Sequence, residues 1–158
     1  LLYKEVSVRY SLNKYASDRY VRFNELEYHL AREDGLRALR EFIDTLECSN
    51  HEVFVPMEVR YVKGDDIWLS PFFGRDSMSI AVHRYFEEDY EPYFSTIEPI
   101  MRKYGGRPHW GKLNTLTASE FRKLYPHWED FAEVRRQLDP DGRFLNPYLS
   151  GLFAQNQS

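Results

Sequence analysis

Apolar and polar positions alternate from Phe23 to Leu30. Leu26, Tyr28 and Leu30 fall on one face and Glu25, Glu27 and His29 on the other, the period of a half-buried strand. From Glu33 to Leu46 the period changes to that of a helix, with Leu36, Leu39, Ile43 and Leu46 on one side and Phe42 beside them. Glu33 and Asp34 suit the positive N-terminal end of that helix. Alternation returns over Val53–Val62. Val53, Val55, Met57, Val59 and Tyr61 oppose Phe54, Pro56, Glu58, Arg60 and Val62, and Pro56 predicts an edge position or a bulge. Gly64-Asp65-Asp66 marks a turn, and Ile67–Leu69 reads as a short strand stopped by Ser70-Pro71. Ser77–Phe86 is a further alternating strand, with Met78, Ile80 and Val82 opposite Ser79, Ala81 and His83. A second helix covers Glu91–Tyr104, with Phe94, Ile97, Met101 and Tyr104 inward. Pro92 suits its first turn and Pro99 predicts a kink. Arg107–Trp110 reads as the last strand.

The order strand, helix, strand, strand, helix, strand predicts an α+β fold, the split β-α-β or ferredoxin-like arrangement. Its antiparallel sheet carries both helices on one face and leaves the other face open. The remainder reads as helical. Thr117 and Glu120 form a capping box for a short helix that stops before Pro126. His127–Leu138 follows with Phe131, Val134 and Leu138 inward, then the turn Asp139-Pro140-Asp141-Gly142 and a short helix around Pro147–Phe153. The expected organisation is a lead-in over residues 1–20, a ferredoxin-like domain over 21–112, and a helical extension of it over 113–158.

Composition narrows the function. A chain of 158 residues can bury a core of its own. The net charge of -4, without blocks of one sign, argues against general nucleic-acid binding. One cysteine, Cys48, rules out an internal disulfide and a cysteine metal site, and suits a reducing, cytoplasmic compartment. No apolar run approaches membrane-spanning length. With 12 Tyr, 11 Phe and 3 Trp, the chain has either an aromatic-rich core or a surface that meets another large body.

Two places hold candidate chemistry. Gly105-Gly106-Arg107-Pro108-His109-Trp110-Gly111-Lys112 brings a turn, an extended run and cationic and aromatic groups together, as a planar ligand would require. It equally fits a helix stop followed by an edge strand. The open sheet face is expected to show Glu27, His29, Glu58, Arg60, Ser79 and His83. Glu58 and Arg60, two apart, emerge side by side, and a carboxylate beside a guanidinium can grip vicinal hydroxyls or steady a developing oxyanion. The alternative is a solvated face with cross-strand ion pairs. His29 and His83 have no evident third partner, so no metal site is expected. The sequence has no Gly-rich phosphate loop and no nucleophile elbow.

Five segments together resemble a known family: Pro56-Met57-Glu58-Val59-Arg60, Asp65–Pro71, Gly74-Arg75-Asp76, Gly105–Lys112 and Leu138–Leu149. They are similar to the C-terminal region of the sugar-lactone oxidases, which act on D-arabinono-, L-gulono- and L-galactono-lactone, and of the related alditol oxidases. These are FAD enzymes of the vanillyl-alcohol-oxidase group. The resemblance covers about Tyr20 to Phe153. It implies that an N-terminal FAD domain, missing here, holds the cofactor, and that this chain is the cap that supplies much of the substrate pocket. By the same resemblance Glu58 and Arg60 contact substrate hydroxyls, Lys112 lies near the flavin and the substrate oxygen, and His109 supports the flavin side. His83 stands where alditol oxidases have a smaller polar residue, which favours a lactone over a linear polyol. The implied activity is oxidation of the secondary alcohol of an aldonolactone, with oxygen or an electron carrier as acceptor. The implied partners are that lactone or a polyol and the missing FAD domain. The fragment alone is expected to be inactive, and two copies can pair as a homodimer through the surface meant for the missing half. Membrane association of the parent stays open. The competing readings are an alditol-oxidase cap and a non-catalytic ferredoxin-like domain that binds a small molecule or a protein.

Overall fold

The computed structural model describes residue 10 and residues 21–49, 51–53 and 55–153. The expected lead-in over 1–20 lies almost wholly outside the described residues. Four strands, β1 (Phe23–Ala31), β2 (Glu58–Val62), β3 (Ser77–Tyr85) and β4 (Arg107–Pro108), alternate with α1 (Arg32–Glu47) between β1 and β2 and α2 (Glu91–Lys103) between β3 and β4. The sheet order is β2-β3-β1-β4 and every pairing is antiparallel. This is the expected α+β, ferredoxin-like sheet. Three short helices follow among the described residues: α3 (Ala118–Leu124), α4 (Trp128–Leu138) and α5 (Pro147–Phe153).

The apolar faces of β1 and β3 meet α1 and α2. Leu26, Tyr28, Leu30, Met78, Ile80 and Val82 are fully buried against Phe42, Phe94, Ile97 and Met101. The inward stripe of α1 differs from the expected one. Gly35, Ala38 and Phe42 face the sheet, while Leu36 is 51% exposed. The small residues let the helix sit close on β3, where a Cβ on Gly35 would come within 2.6 Å of Met78 Cβ. In α4 the buried residues are Trp128 and Ala132, whereas Val134 and Leu138 point outward. Trp128 has the largest apolar surface there and takes the inward position, stacking on Phe153 at 4.6 Å.

Two strands are shorter than their patterns. β2 begins only at Glu58, because Pro56 has no N–H for the ladder and its carbonyl accepts from His83 Nδ1 at 3.2 Å instead. Ile67–Leu69 forms no strand. Asp65 caps a turn there, accepting from Ile67 N at 3.1 Å and Ser70 Oγ at 2.6 Å. α2 runs through Pro99 and ends at Gly105, whose φ of 62° takes the left-handed conformation of a helix stop. The capping box of Thr117 and Glu120 is present as expected.

Candidate functional site

The polar sheet face is open only at β2, where Glu58 and Arg60 are half exposed. Glu27, His29, Ser77, Ser79 and His83 are all buried, against the expectation of a solvated face. The covers come from distant parts of the chain. The His29 ring meets Phe72 of the 65–76 loop edge-on at 4.7 Å, and the His83 ring meets Phe23 at 4.9 Å. Arg75 pins that loop by donating to the carbonyls of His29 and Gly105, both at 3.0 Å. Burial pushes the Arg75 guanidinium down to about 10.

Several motif residues therefore serve architecture. Arg107 is buried and donates to the carbonyls of Leu124, Pro71 and Phe73. Trp110 Nε1 donates to the Leu69 carbonyl at 2.9 Å, and its ring packs on Phe121, Tyr125 and Trp128. The expectation that these two groups meet a planar ligand is corrected, because both are spent on joining the 65–76 loop and the C-terminal helices to the sheet. Asp139 likewise accepts from the backbone N–H groups of Arg143 and Phe144.

What remains is a line of alternating charge across the sheet. On β2, Arg60 Nη1 donates to Glu58 Oε2 at 2.9 Å. Its Nη2 reaches over β3 and donates to Glu27 Oε1 on β1 at 2.8 Å. The other oxygen of Glu27 accepts from Lys112 Nζ, which also donates to Glu25 Oε1. Glu25 Oε1 in turn lies 3.2 Å from His83 Nε2. Lys112 is brought there by a tight turn. His109 N donates to the Glu27 carbonyl at 3.0 Å, Lys112 N to the His109 carbonyl at 3.1 Å, and Leu113 N to the Glu25 carbonyl at 3.0 Å. Gly111 N donates to His109 Nδ1 at 3.1 Å, so the imidazole stiffens the turn that carries Lys112.

The structure thus brings Glu58, Arg60 and Lys112 into one network. His83 lies at its far end, and His109 stands in the turn, with its ring centroid 6.0 Å from that of His29. Glu25 and Glu27 join the network although neither was singled out as a site residue. Their signal was the β1 alternation, which puts them on the face of Glu58 and Arg60. The Arg60 side chain is 48% exposed and that of Glu27 only 4%. Burial alone would raise the Glu27 carboxyl, but the hydrogen bond and charge of Lys112, with His29 and Arg60 behind them, hold it below the ordinary carboxylate range. His29 is held neutral where Glu27 is held charged. Burial pushes it down to about 4, against the pull of Glu27. Its Nδ1 pairs with Ser79 Oγ at 2.7 Å and its Nε2 has no partner among the described residues. Beside Lys112 opens a recess of about 590 Å³, bordered by Phe23, Asn24, Glu25, Asn114 and Tyr148. Among the described residues no cluster of His, Cys, Asp or Glu could hold a metal ion, and no helix is long and apolar enough to cross a membrane.

Chemically, the network holds two cations with donors to spare. A guanidinium has five N–H groups, and Arg60 commits two of them to the carboxylates of Glu58 and Glu27. Such a fork beside the half-exposed carboxylate of Glu58 matches a pair of hydroxyls.

The family model for D-arabinono-1,4-lactone oxidase matches residues 1–152. The chain belongs to this family. Among its relatives, an L-gulono-1,4-lactone dehydrogenase of Mycobacterium tuberculosis is 47% identical over 134 residues, 85% of this chain and 31% of the relative. The L-gulonolactone oxidase of Mus musculus is 42% identical over 132 residues, covering 80% and 30%. An alditol oxidase of a Streptomyces species is 37% identical over 129 residues, again covering 80% and 30%. The chain therefore spans about a third of the length of the curated relatives it matches.

Proposed function

We propose that this chain is the substrate-binding cap of an FAD-dependent oxidoreductase that oxidises the secondary alcohol of an aldonolactone, with dioxygen as acceptor. The observation that carries the reading is the half-exposed Glu58–Arg60 pair tied through Glu27 to Lys112. The names of two of the three relatives cited, a lactone dehydrogenase and a lactone oxidase, support the substrate class, and the third is an alditol oxidase.

The donor set suits the ring end of a flavin. Lys112 offers positive charge at the edge of a recess and Arg60 offers it further along the same network, and the described residues offer no Gly-rich loop for a diphosphate. In this reading the phosphate end of the cofactor is held by another domain of the same protein. Lys112 and His109 are the residues of this chain that would meet it. A bound flavin supplies the acceptor for the hydride of the alcohol C–H.

The residues of this chain prepare the alcohol. Glu58 accepts a hydrogen bond from one hydroxyl and so orients the diol. Arg60 donates to the alcohol oxygen as its proton passes along the hydrogen bond to the Glu58 carboxylate, and the charge growing there is met by a guanidinium already held in place. Lys112 adds a second positive charge to that oxygen's surroundings. The buried carboxylate of Glu27 behind both cations keeps them from turning away when the site is empty.

The test is made on the flavoprotein that carries this chain. Purified protein should be yellow and release peroxide with D-arabinono-1,4-lactone or L-gulono-1,4-lactone. Faster turnover of xylitol or sorbitol than of either lactone would replace the reading with an alditol oxidase. A colourless protein that binds lactone without turnover would leave a binding domain.

A further inference from the structure

β3 presents a trough to the polar face. Three of its four residues there before Tyr85, namely Ser77, Ser79 and Ala81, are small and fully buried, and His83 closes the row. Ala81 stands between Glu58 on β2 and Glu27 on β1, directly paired with both. A larger side chain at this position would fill the path from β2 to β1. With a methyl group there, Arg60 crosses a whole strand and reaches Glu27. From the opposite side, the His109–Leu113 turn folds Lys112 over β1 onto the same carboxylate.

The geometry points to Glu27 as the positioning residue of the site: one buried carboxylate sets the spacing between the two cations, one oxygen holding Arg60 and the other Lys112. We infer this on the basis of the function proposed above, since it says how the two cations are held for that chemistry. Glu27 itself does not touch substrate. It is buried, it spends both oxygens on the cations, and His29 Nδ1 stands 3.8 Å behind it. Glu58 and Glu25 cannot take over its task. Each holds only one of the two cations, Glu58 holding Arg60 and Glu25 holding Lys112. Without Glu27 the two cations remain individually paired but their separation is no longer fixed. A displacement of about 1 Å at a reacting oxygen is worth about 10²-fold in rate.

The experiment compares wild type, Glu27→Gln and Glu27→Asp in the flavoprotein that carries this chain. Gln keeps the shape and loses the charge. Asp keeps the charge but is one methylene short of spanning both cations. Two readouts are taken: kcat and KM with L-gulono-1,4-lactone, and the rate at which Lys112 is labelled by acetic anhydride, followed by mass spectrometry. Both variants should lose about 30- to 100-fold in kcat/KM, mostly in kcat. Lys112 labelling should rise at least about threefold as the tether is lost. Because Asp preserves the charge, a loss in that variant separates spacing from simple electrostatics. A kcat/KM within twofold of wild type in both variants, or a fall in melting temperature alone, overturns the assignment while leaving the lactone activity standing. If wild type turns over no lactone, the functional reading fails, and unchanged Lys112 labelling then decides against the tether as well.

Discussion

Acid should unfold this domain earlier than its carboxylates alone require, and His29 is the reason. The side chain is 2% exposed, one ring nitrogen is held by Ser79 and the other has no partner among the described residues. Burial therefore favours the neutral ring and lowers its value from 6.5 to about 4. An unfolded chain takes up this proton from about pH 6.5 downward, and the folded protein only near pH 4. Between those limits the unfolded state binds more protons, so stability falls as pH falls. At about 1.4 kcal/mol per pH unit the gap corresponds to about 3 kcal/mol. The perturbation is His29→Asn, which keeps a polar atom near Ser79 and removes the titration. Urea unfolding of both proteins is followed at pH 7, 5.5 and 4. Wild type should lose about 3 kcal/mol more than the variant across this range, whatever their difference at pH 7. Parallel curves, within about 0.5 kcal/mol, would show that the ring is solvated and that the polar face is not sealed.

Two further outcomes follow from the same packing. Lys112→Met leaves Glu27 and Glu25 without their shared cation, which should cost about 3 kcal/mol at pH 7 and less at pH 3, because the hold of Lys112 on the Glu27 carboxylate is lost as that carboxyl takes up its proton. Equal losses at the two pH values in chemical unfolding would argue that the lysine is solvated. Gly35→Ala should destabilise by about 1–2 kcal/mol despite the better helix propensity of alanine, because the new methyl meets the Cβ of Met78 and not merely its flexible end. A rise in melting temperature would mean that α1 can lift from the sheet without penalty.

How far the sequence disclosed all this depends on whether a feature is local. The β1 alternation of Leu26, Tyr28 and Leu30 against Glu25, Glu27 and His29 is complete in itself, and the sheet order follows from the strand and helix sequence. The α1 stripe is not local. Leu36 and Ile43 have the right spacing for burial, yet contact with Met78 selects the face of Gly35 and Ala38. β2 stops short because one missing N–H at Pro56 outweighs five residues of good alternation. The buried state of His29 and His83 was hidden for a similar reason. Phe72, the ring that seals His29, comes from a loop that the strand pattern does not describe, and Phe23, which packs on His83, is the first residue of β1, where the alternation shows a face but not a cross-strand ring contact. The family's motifs single out Glu58, Arg60 and Lys112, which the structure joins in one network, but Gly74-Arg75-Asp76, Arg107 and Trp110 lie in equally distinctive motifs, and Arg75, Arg107 and Trp110 hold loops. A motif marks that a residue is required, and only its hydrogen bonds tell for what. The tie through Glu27 had no motif at all, because it depends on the smallness of Ala81 one strand away.

The central claim is that Arg60 acts on the alcohol of an aldonolactone. It is tested most directly by mixing the flavoprotein that carries this chain with L-gulono-1,4-lactone under anaerobic conditions and following the loss of the flavin's visible absorbance. Arg60→Ala should lower the limiting rate of that loss by about 10²- to 10³-fold. A limiting rate within about threefold of wild type would contradict the account.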